Sequence, residues 1–283
     1  MQNERWRDVV MLVLILLACT GYVFPRWADP NQNSRLNMVV AVVDDGSLRI
    51  DEYVSNTVDY AKVGDHYYSD KAPGAPSWAF PCTGMAVVLD SPAMAPLTDR
   101  LQSSSAFQST LREDGSGVNQ DKIRFALAQV VLSFLVSALP SALLGALIYL
   151  VLARLGVARA TRIIAVLAYG LFTPAFAYAN AFYGHQLSAA LLFAAFWLIL
   201  GVDGRVRAPK LLFIGLLLGY SVVTEYPTAL VVHPLPLRRV PALPAGSPQT
   251  VGLDHVTGGL VAVVDGLQQP RLRWAAGTGI QLF

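Results

Sequence analysis

Phe125–Ala153 reads FALAQVVLSFLVSALPSALLGALIYLVLA, twenty-nine residues without a charge. At 1.5 Å of rise per residue, a helix of that length more than covers a hydrocarbon core of roughly 30 Å. Pro140 lies near its middle and has no N–H to give to the helical ladder, so the stretch predicts a kinked or tilted span. Composition points the same way. Of the 283 residues 54% are hydrophobic and 14% charged, with mean hydropathy +0.47. A soluble domain carries about a quarter charged residues. The net charge of +2, without a basic tract, argues against a nucleic-acid partner.

Working outward, four further apolar runs predict spans at Val9–Phe24, Ile163–Ala179, Leu187–Val202 and Leu211–Val232. The first extends to Trp27, with Trp6 and Trp27 at the two interfaces. Leu16-Leu17-Ala18-Cys19 resembles a lipoprotein cleavage box, but the apolar run continues through Tyr22-Val23-Phe24, which favours an uncleaved span. Cys19 and Cys82 lie at different depths and show no metal-ligand spacing. The expected architecture is an all-α polytopic membrane protein of about five transmembrane helices with a large loop after the first. Its parts are 1–24 (N-terminus and first helix), 25–122 (loop), 123–232 (four-helix transmembrane region) and 233–283 (irregular tail). From Pro234 onward the chain has no Lys, no Tyr and no periodic span. That change reads either as a disordered tail or as a reading frame altered after about His233.

Short-loop charge sets the orientation. The 154–162 connection carries Arg154, Arg159 and Arg162, and the 203–210 connection carries Arg205, Arg207 and Lys210. Loop 180–186 has no Lys or Arg. The positive-inside rule therefore puts 25–122, 180–186 and the Glu225 end of the fifth span outside the cytoplasm. Those three segments are expected to converge, with Glu225 and His185 meeting near the Gly64–Gly74 loop.

Within 25–122, Leu36, Val39, Val40 and Val43 have the spacing of an amphipathic helix over Ser34–Val43, capped by Asn33 or Ser34. Trp78–Leu89, interrupted by Pro81 and Gly84, reads as interfacial or re-entrant, and 98–121 as a loop. The densest chemistry is Gly64-Asp-His-Tyr-Tyr-Ser-Asp-Lys-Ala-Pro-Gly74. Each candidate residue has a plainer reading beside the functional one. Asp29 is placed to act as a general base at the membrane surface, or is an Asp-Pro turn residue. Asp59, Asp70 and Lys71 have the same double reading: Lys71 binds a phosphate, or pairs with Asp70 for about 0–1 kcal/mol. Tyr67 and Tyr68 stack on a sugar or anchor the loop in headgroups. Glu225 costs about 2.5–3.5 kcal/mol if charged at a span's centre, so it is either functional or sits hydrated near a helix end before Pro227. His185 binds substrate or is an interfacial hydrogen-bonding group.

Asn33-Ser34-Arg35-Leu36, Ile50-Asp51-Glu52-Tyr53, Tyr67-Tyr68-Ser69-Asp70-Lys71-Ala72-Pro73-Gly74, Tyr183-Gly184-His185 and Thr224-Glu225-Tyr226-Pro227 follow one another in a pattern that resembles the bacterial GT-C superfamily. Within it, the likeness is to glycosyltransferase family 39, the protein O-mannosyltransferase-like membrane enzymes. It covers roughly residues 5–232. The resemblance implies transfer of a sugar from a polyprenyl-phosphate donor to an acceptor on the outer face of the cell membrane. It implies a catalytic carboxylate in the first outer loop, matched here by Asp29, with Asp59 and Asp51 as substitutes because Pro30 and Asn31 stand where a second acid is usual. Arg35, Tyr68, Asp70, Lys71, His185 and Glu225 then fall to substrate binding. Family members are longer and have more spans, so the resemblance also implies a truncated chain with little turnover. A divalent metal is compatible with this chemistry, but no ligand set is evident, and the acceptor stays open. A transporter or channel subunit, with Glu225 and His185 lining an ion path, and an inactive fragment are the alternatives.

Overall fold

The computed structural model describes residues 2–23, 29–79, 95–105, 120–201 and 207–232. The described residues are mostly helical. Helix α1 is Gln2–Tyr22 and α2 is Pro30–Asp45. A short hairpin follows, β1 Tyr60–Val63 against β2 His66–Ser69, and then α3, Gly74–Ala79. Helix α4 is Ala95–Gln102. Helices α5 (Gln120–Ser133) and α6 (Leu139–Arg154) are joined through a π-helical turn, Phe134–Ala138. Then come α7 Arg159–Phe172, α8 Pro174–Ala179, α9 His185–Leu200, α10 Ala208–Thr224 and α11 Ala229–Val232. The tail 233–283 and most of the proposed re-entrant piece Trp78–Leu89 lie outside the described residues.

Among the described residues one helix, Phe125–Arg154, is long and apolar enough to cross a membrane; α9 and α10 are shorter apolar helices. The long helix stays continuous across Pro140. A proline ring clashes with the carbonyl four residues back and offers no N–H. The wide turn immediately before it absorbs that mismatch, as π-bulges do.

Several expectations are corrected. The 25–122 region is not purely helix and loop, because Tyr60–Ser69 pairs as an antiparallel hairpin with Gly64 at φ 62° in its turn. Its β2 is also bridged from the other side, Arg49 to Tyr68. Helix α4 occupies the start of the 98–121 loop. Helix α2 begins earlier than Ser34, and its cap is Asp29, with Pro30 in the first turn. There the missing N–H costs nothing and the fixed φ suits the helix. The Ile163–Ala179 run is broken at Thr173, whose backbone is extended (φ −123°, ψ 170°), so that Pro174 starts a new helix. The Leu211–Val232 run is broken at Glu225, also extended, before a single 3-10 turn, Tyr226–Thr228.

Three apolar clusters hold the helices together. Leu36 and Val39 of α2 pack with Leu132, Val136, Phe182, Leu187 and Leu191. Val9, Leu12 and Leu16 of α1 pack with Ala142, Ala146, Tyr149 and Val166. Ala195 of α9 meets Ile214 and Leu218 of α10. Burying each large aliphatic side chain contributes about 1.5–3 kcal/mol when water is the alternative. Polar contacts mark the two ends of this bundle. At one end Asp8 of α1 accepts from Arg159 Nε and Nη2, each at 2.6 Å, and from the Tyr149 hydroxyl at 2.6 Å, and Arg162 lies over the Tyr149 ring. Lys210 and Gly201 meet where α9 ends and α10 begins. At the other end lie the start of α9, the end of α10 and the start of α2.

Candidate functional site

The site forms where α2 begins. Four orphan N–H groups at a helix start need acceptors. Asp29 supplies one: its Oδ1 accepts from the backbone of Asn31 at 2.9 Å and of Gln32 at 3.4 Å. Its Oδ2 accepts from the Tyr183 hydroxyl, which comes from the connection ahead of α9. Burial works to raise the carboxyl's pKa, but the Tyr183 hydroxyl and the Gln32 and Asn31 amides outweigh it and hold Asp29 below its ordinary value. Asp29 is thus a helix cap and also a carboxylate facing a phenol.

About one and a half turns further along α2, Arg35 is buried, at 3% exposure. Its Nη2 donates to Glu225 Oε1 at 3.0 Å and its Nη1 donates to Asn31 Oδ1. The guanidinium carbon lies 5.7 Å from the Tyr183 ring centre. Burial lowers the Arg35 pKa from its ordinary value, with the charges of Glu225, Tyr183 and Asp70 acting in the opposite direction. Glu225 Oε1 also lies 3.3 Å from His185 Nδ1. The His185 ring is packed edge-on to Tyr178 at 4.7 Å and tilted against Tyr183 at 5.5 Å. The geometry therefore brings Asp29, Arg35, His185 and Glu225 into one connected set, with Tyr183 in contact with the first three.

Close backbone packing fixes Glu225. A Cβ on Gly184 would lie 2.6 Å from Glu225 Oε1, and one on Gly74 would lie 2.5 Å from the Thr224 backbone. Tyr220 of α10 donates to the Gly74 carbonyl at 2.7 Å. The Pro73-Gly74 turn thus seats the polar loop directly against the end of α10. Deeper in, Gln32 accepts from Gln129 at 3.1 Å and from the Phe182 amide at 2.7 Å, which ties α2 to the long helix and to the Tyr183 connection.

Asp59, Asp70 and Lys71 form a second set. Lys71 Nζ lies 2.8 Å from Asp59 and 3.2 Å from Asp70, so its nearer partner is not its sequence neighbour. Ser34 of α2 donates to the Asp59 carbonyl at 2.5 Å and contacts Ser69 at 2.7 Å, fastening this set beside Arg35. Tyr68 sits in β2 opposite Ala61, and no bond joins it to either set among the described residues. Asp51 is occupied elsewhere: it accepts from the Tyr67 amide at 2.6 Å and meets His66 Nδ1 at 2.8 Å. Among the described residues no group of His, Cys, Asp and Glu is arranged to hold a metal ion.

Sequence reasoning passed over Tyr183 as a site residue, although Tyr183-Gly184-His185 was singled out as a motif. It also passed over Asn31 and Gln32, whose signal was the Asp-Pro helix start just before them. Chemically, the arrangement offers a carboxylate that can accept a proton, a phenol beside it, and two cations each held by carboxylates. No family model, no curated protein and no solved structure matches the chain.

Proposed function

We propose that the chain belongs to a polytopic membrane enzyme that transfers a sugar from a polyprenyl-phosphate donor to an acceptor hydroxyl at the extracytoplasmic face, in the manner of the GT-C glycosyltransferases it resembles. The observation that carries this reading is the meeting of Asp29, Tyr183, Arg35, His185 and Glu225 at the bundle end away from Arg159 and Lys210. By the charge rule the Arg159 and Lys210 end faces the cytoplasm, and the cluster therefore faces outward. In this reading α1, the long helix, the α7–α8 pair, α9 and α10 are the five spans.

The reaction forms a bond from the acceptor oxygen to the anomeric carbon and breaks the bond from that carbon to the donor phosphate. The acceptor proton passes to Asp29, whose depressed pKa keeps it ionised at neutral pH. Polyprenyl phosphate leaves with the bonding electron pair, and Arg35 and Lys71 supply the positive charge that stabilises it. Glu225 and His185 hold Arg35 in place, and the Tyr178, Tyr183 and His185 rings offer an apolar face for a sugar.

Donor binding is the direct test. The full chain, purified in micelles, should retain polyprenyl phosphate and release it to excess polyprenyl-phosphate sugar. Lys71→Ala should weaken that retention, and Asp29→Asn should leave it largely intact. Absence of any polyprenyl-phosphate binding by the wild-type chain refutes the reading.

A further inference from the structure

An ionised carboxylate offers hydrogen-bond donors about four lone-pair sites. At Asp29 they are taken up. Oδ1 accepts from the Asn31 and Gln32 amides, Oδ2 accepts from the Tyr183 hydroxyl, and the Gln32 side chain bonds to the same carboxylate. An acceptor hydroxyl that is to give its proton to Asp29 must displace one of these donors or work through one. Displacement is resisted. The two backbone amides belong to the first turn of α2, and the Gln32 side chain is pinned at its oxygen by Gln129 at 3.1 Å and by the Phe182 amide at 2.7 Å. An amide N–H donates but keeps its proton at neutral pH. A phenol differs: its oxygen is donor and acceptor at once, so it can receive one proton while it releases another.

Tyr183 is also held for such a role. Its N–H donates to the Ala181 carbonyl at 2.7 Å, Ser137 of the π-helical turn donates to its own carbonyl at 3.1 Å, and its ring packs against Tyr178 and His185. The side chain is only partly buried. The Arg35 guanidinium, 5.7 Å from the ring centre, favours the negative charge that builds on the phenol as its proton moves toward Asp29. We propose that Tyr183 is a catalytic residue, whose hydroxyl takes the proton of the acceptor and passes its own to Asp29 in the same step. The proposal rests on the sugar-transfer reading above, with Asp29 as the final base. The acceptor O–H bond breaks and its proton joins the Tyr183 oxygen, while the Tyr183 O–H bond breaks and that proton joins Asp29 Oδ2. The acceptor oxygen's electron pair forms the bond to the anomeric carbon, and polyprenyl phosphate leaves with the pair of the bond that breaks. Tyr183 ends neutral and Asp29 protonated, so two protons move in the bond-making step.

The test is single-turnover transfer from radiolabelled polyprenyl-phosphate mannose to methanol, with the full chain in micelles in excess over the donor, timed in mixtures of light and heavy water. Excess chain over long times makes even slow formation of the methyl glycoside measurable. In the wild-type chain the rate should fall along a bowed curve as the deuterium fraction rises, the mark of two protons in flight. Tyr183→Phe keeps the ring and opens Oδ2 to direct approach by the alcohol. It should be slower by at least about tenfold, and its rate should fall along a straight line, one proton being left in motion. A straight line for the wild-type chain overturns the proposal, as does transfer by Tyr183→Phe at the wild-type rate. A curve still bowed in the variant places the second proton elsewhere and overturns it too. Should Tyr183→Phe fail to fold, the shape of the wild-type curve decides alone. Absence of methyl glycoside from the wild-type chain would defeat the sugar-transfer reading and the relay with it, whereas the other adverse results strike the relay and leave that reading standing.

Discussion

Replacing Gly74 with alanine tests how tightly the polar loop is seated on α10. The added methyl would stand 2.5 Å from the Thr224 Cα and N and 2.6 Å from its Oγ1, where ordinary contact begins at 3.4 Å. Two of those three atoms are backbone, and Oγ1 is itself tied to the Tyr220 carbonyl at 2.7 Å. Nothing at the contact can swing aside, so α3 and the end of α10 must part by about 1 Å. That separation takes the 2.7 Å bond from the Tyr220 hydroxyl to the Gly74 carbonyl beyond hydrogen-bonding reach. Overpacking of this kind costs about 1–3 kcal/mol and the lost bond about 1 more, so Gly74→Ala should destabilise by about 2–4 kcal/mol. Tyr220→Phe removes the bond alone and should cost about 1 kcal/mol. The assay is denaturant unfolding of the full chain in mixed micelles, followed by tryptophan fluorescence, since Trp78 of α3 lies 6.1 Å from Tyr220. A Gly74→Ala protein within about 0.5 kcal/mol of wild type, the range of an ordinary surface change, would refute the packing argument.

Asparagine caps helices about as well as aspartate, so Asp29→Asn should keep α2 folded while lowering sugar transfer about 10²–10⁴-fold in any form of the protein that turns over; transfer there at the wild-type rate would move the base to Asp59 or Asp51. Because Asp29 titrates below its ordinary value, its contribution to stability should be complete above about pH 4, the unfolded carboxylate range. It should be lost as pH falls through the lower folded pKa, and an acid titration of Asp29→Asn should lack that component. Glu225→Gln strands the buried Arg35 and should destabilise by about 3 kcal/mol, Arg35→Met leaves the half-buried Glu225 with His185 and should cost less, and the double variant should fall well short of their sum; additive unfolding energies would mean the pair is not coupled. Burial, with the charges of Asp45 and Asp44 and a hydrogen bond to Asp45, pushes the Tyr53 phenol up to about 12. Stability from Tyr53 is present below its unfolded pKa near 10 and lost as pH rises toward 12, which comparison of Tyr53→Phe with wild type in alkaline unfolding should detect.

Much of the helical layout could be read from the residues, because burial against neighbouring helices requires the periodicity that was sought. Leu36, Val39, Val40 and Val43 lie on one side of α2, as their spacing demands, and the uninterrupted 125–153 run is one long helix. The breaks were harder. Hydropathy averages over Pro174 and Glu225 and so carried two runs across points where the ladder loses a donor or turns extended. The Tyr60–Ser69 hairpin did have a signal, a two-residue Gly64-Asp65 turn between residues that favour strands, but the density of ionisable groups drew attention to chemistry over pairing. Of the site, the meeting of His185 with Glu225 beside the Gly64–Gly74 loop followed from counting basic residues in loops. The partner choices did not. That Arg35 takes Glu225, that Lys71 takes Asp59 as well as Asp70, and that Tyr183 takes Asp29 depends on helix rotation and on side-chain reach, which spacing within one segment cannot supply.

The wide turn at Phe134–Ala138 also acts as a phase adjuster. An α-helix advances about 100° per residue, and a π turn accommodates one residue beyond the regular count, so the two halves of Phe125–Arg154 are offset by about one such step. Before the turn Gln129 and Leu132, and within it Val136, face α2 and the site; beyond it Ala142, Ala146 and Tyr149 face α1 and α7. A single helix can thereby serve two cores that no uniform stripe would reach. Deleting one residue from Phe134–Ala138 would return the winding to regular α-helix with little change in hydropathy. Because the turn holds the extra residue, each half would then keep its face, whereas drawing all the residues into regular α-helix would turn one half by about 100°, pulling Gln129 from Gln32 or Tyr149 from Asp8.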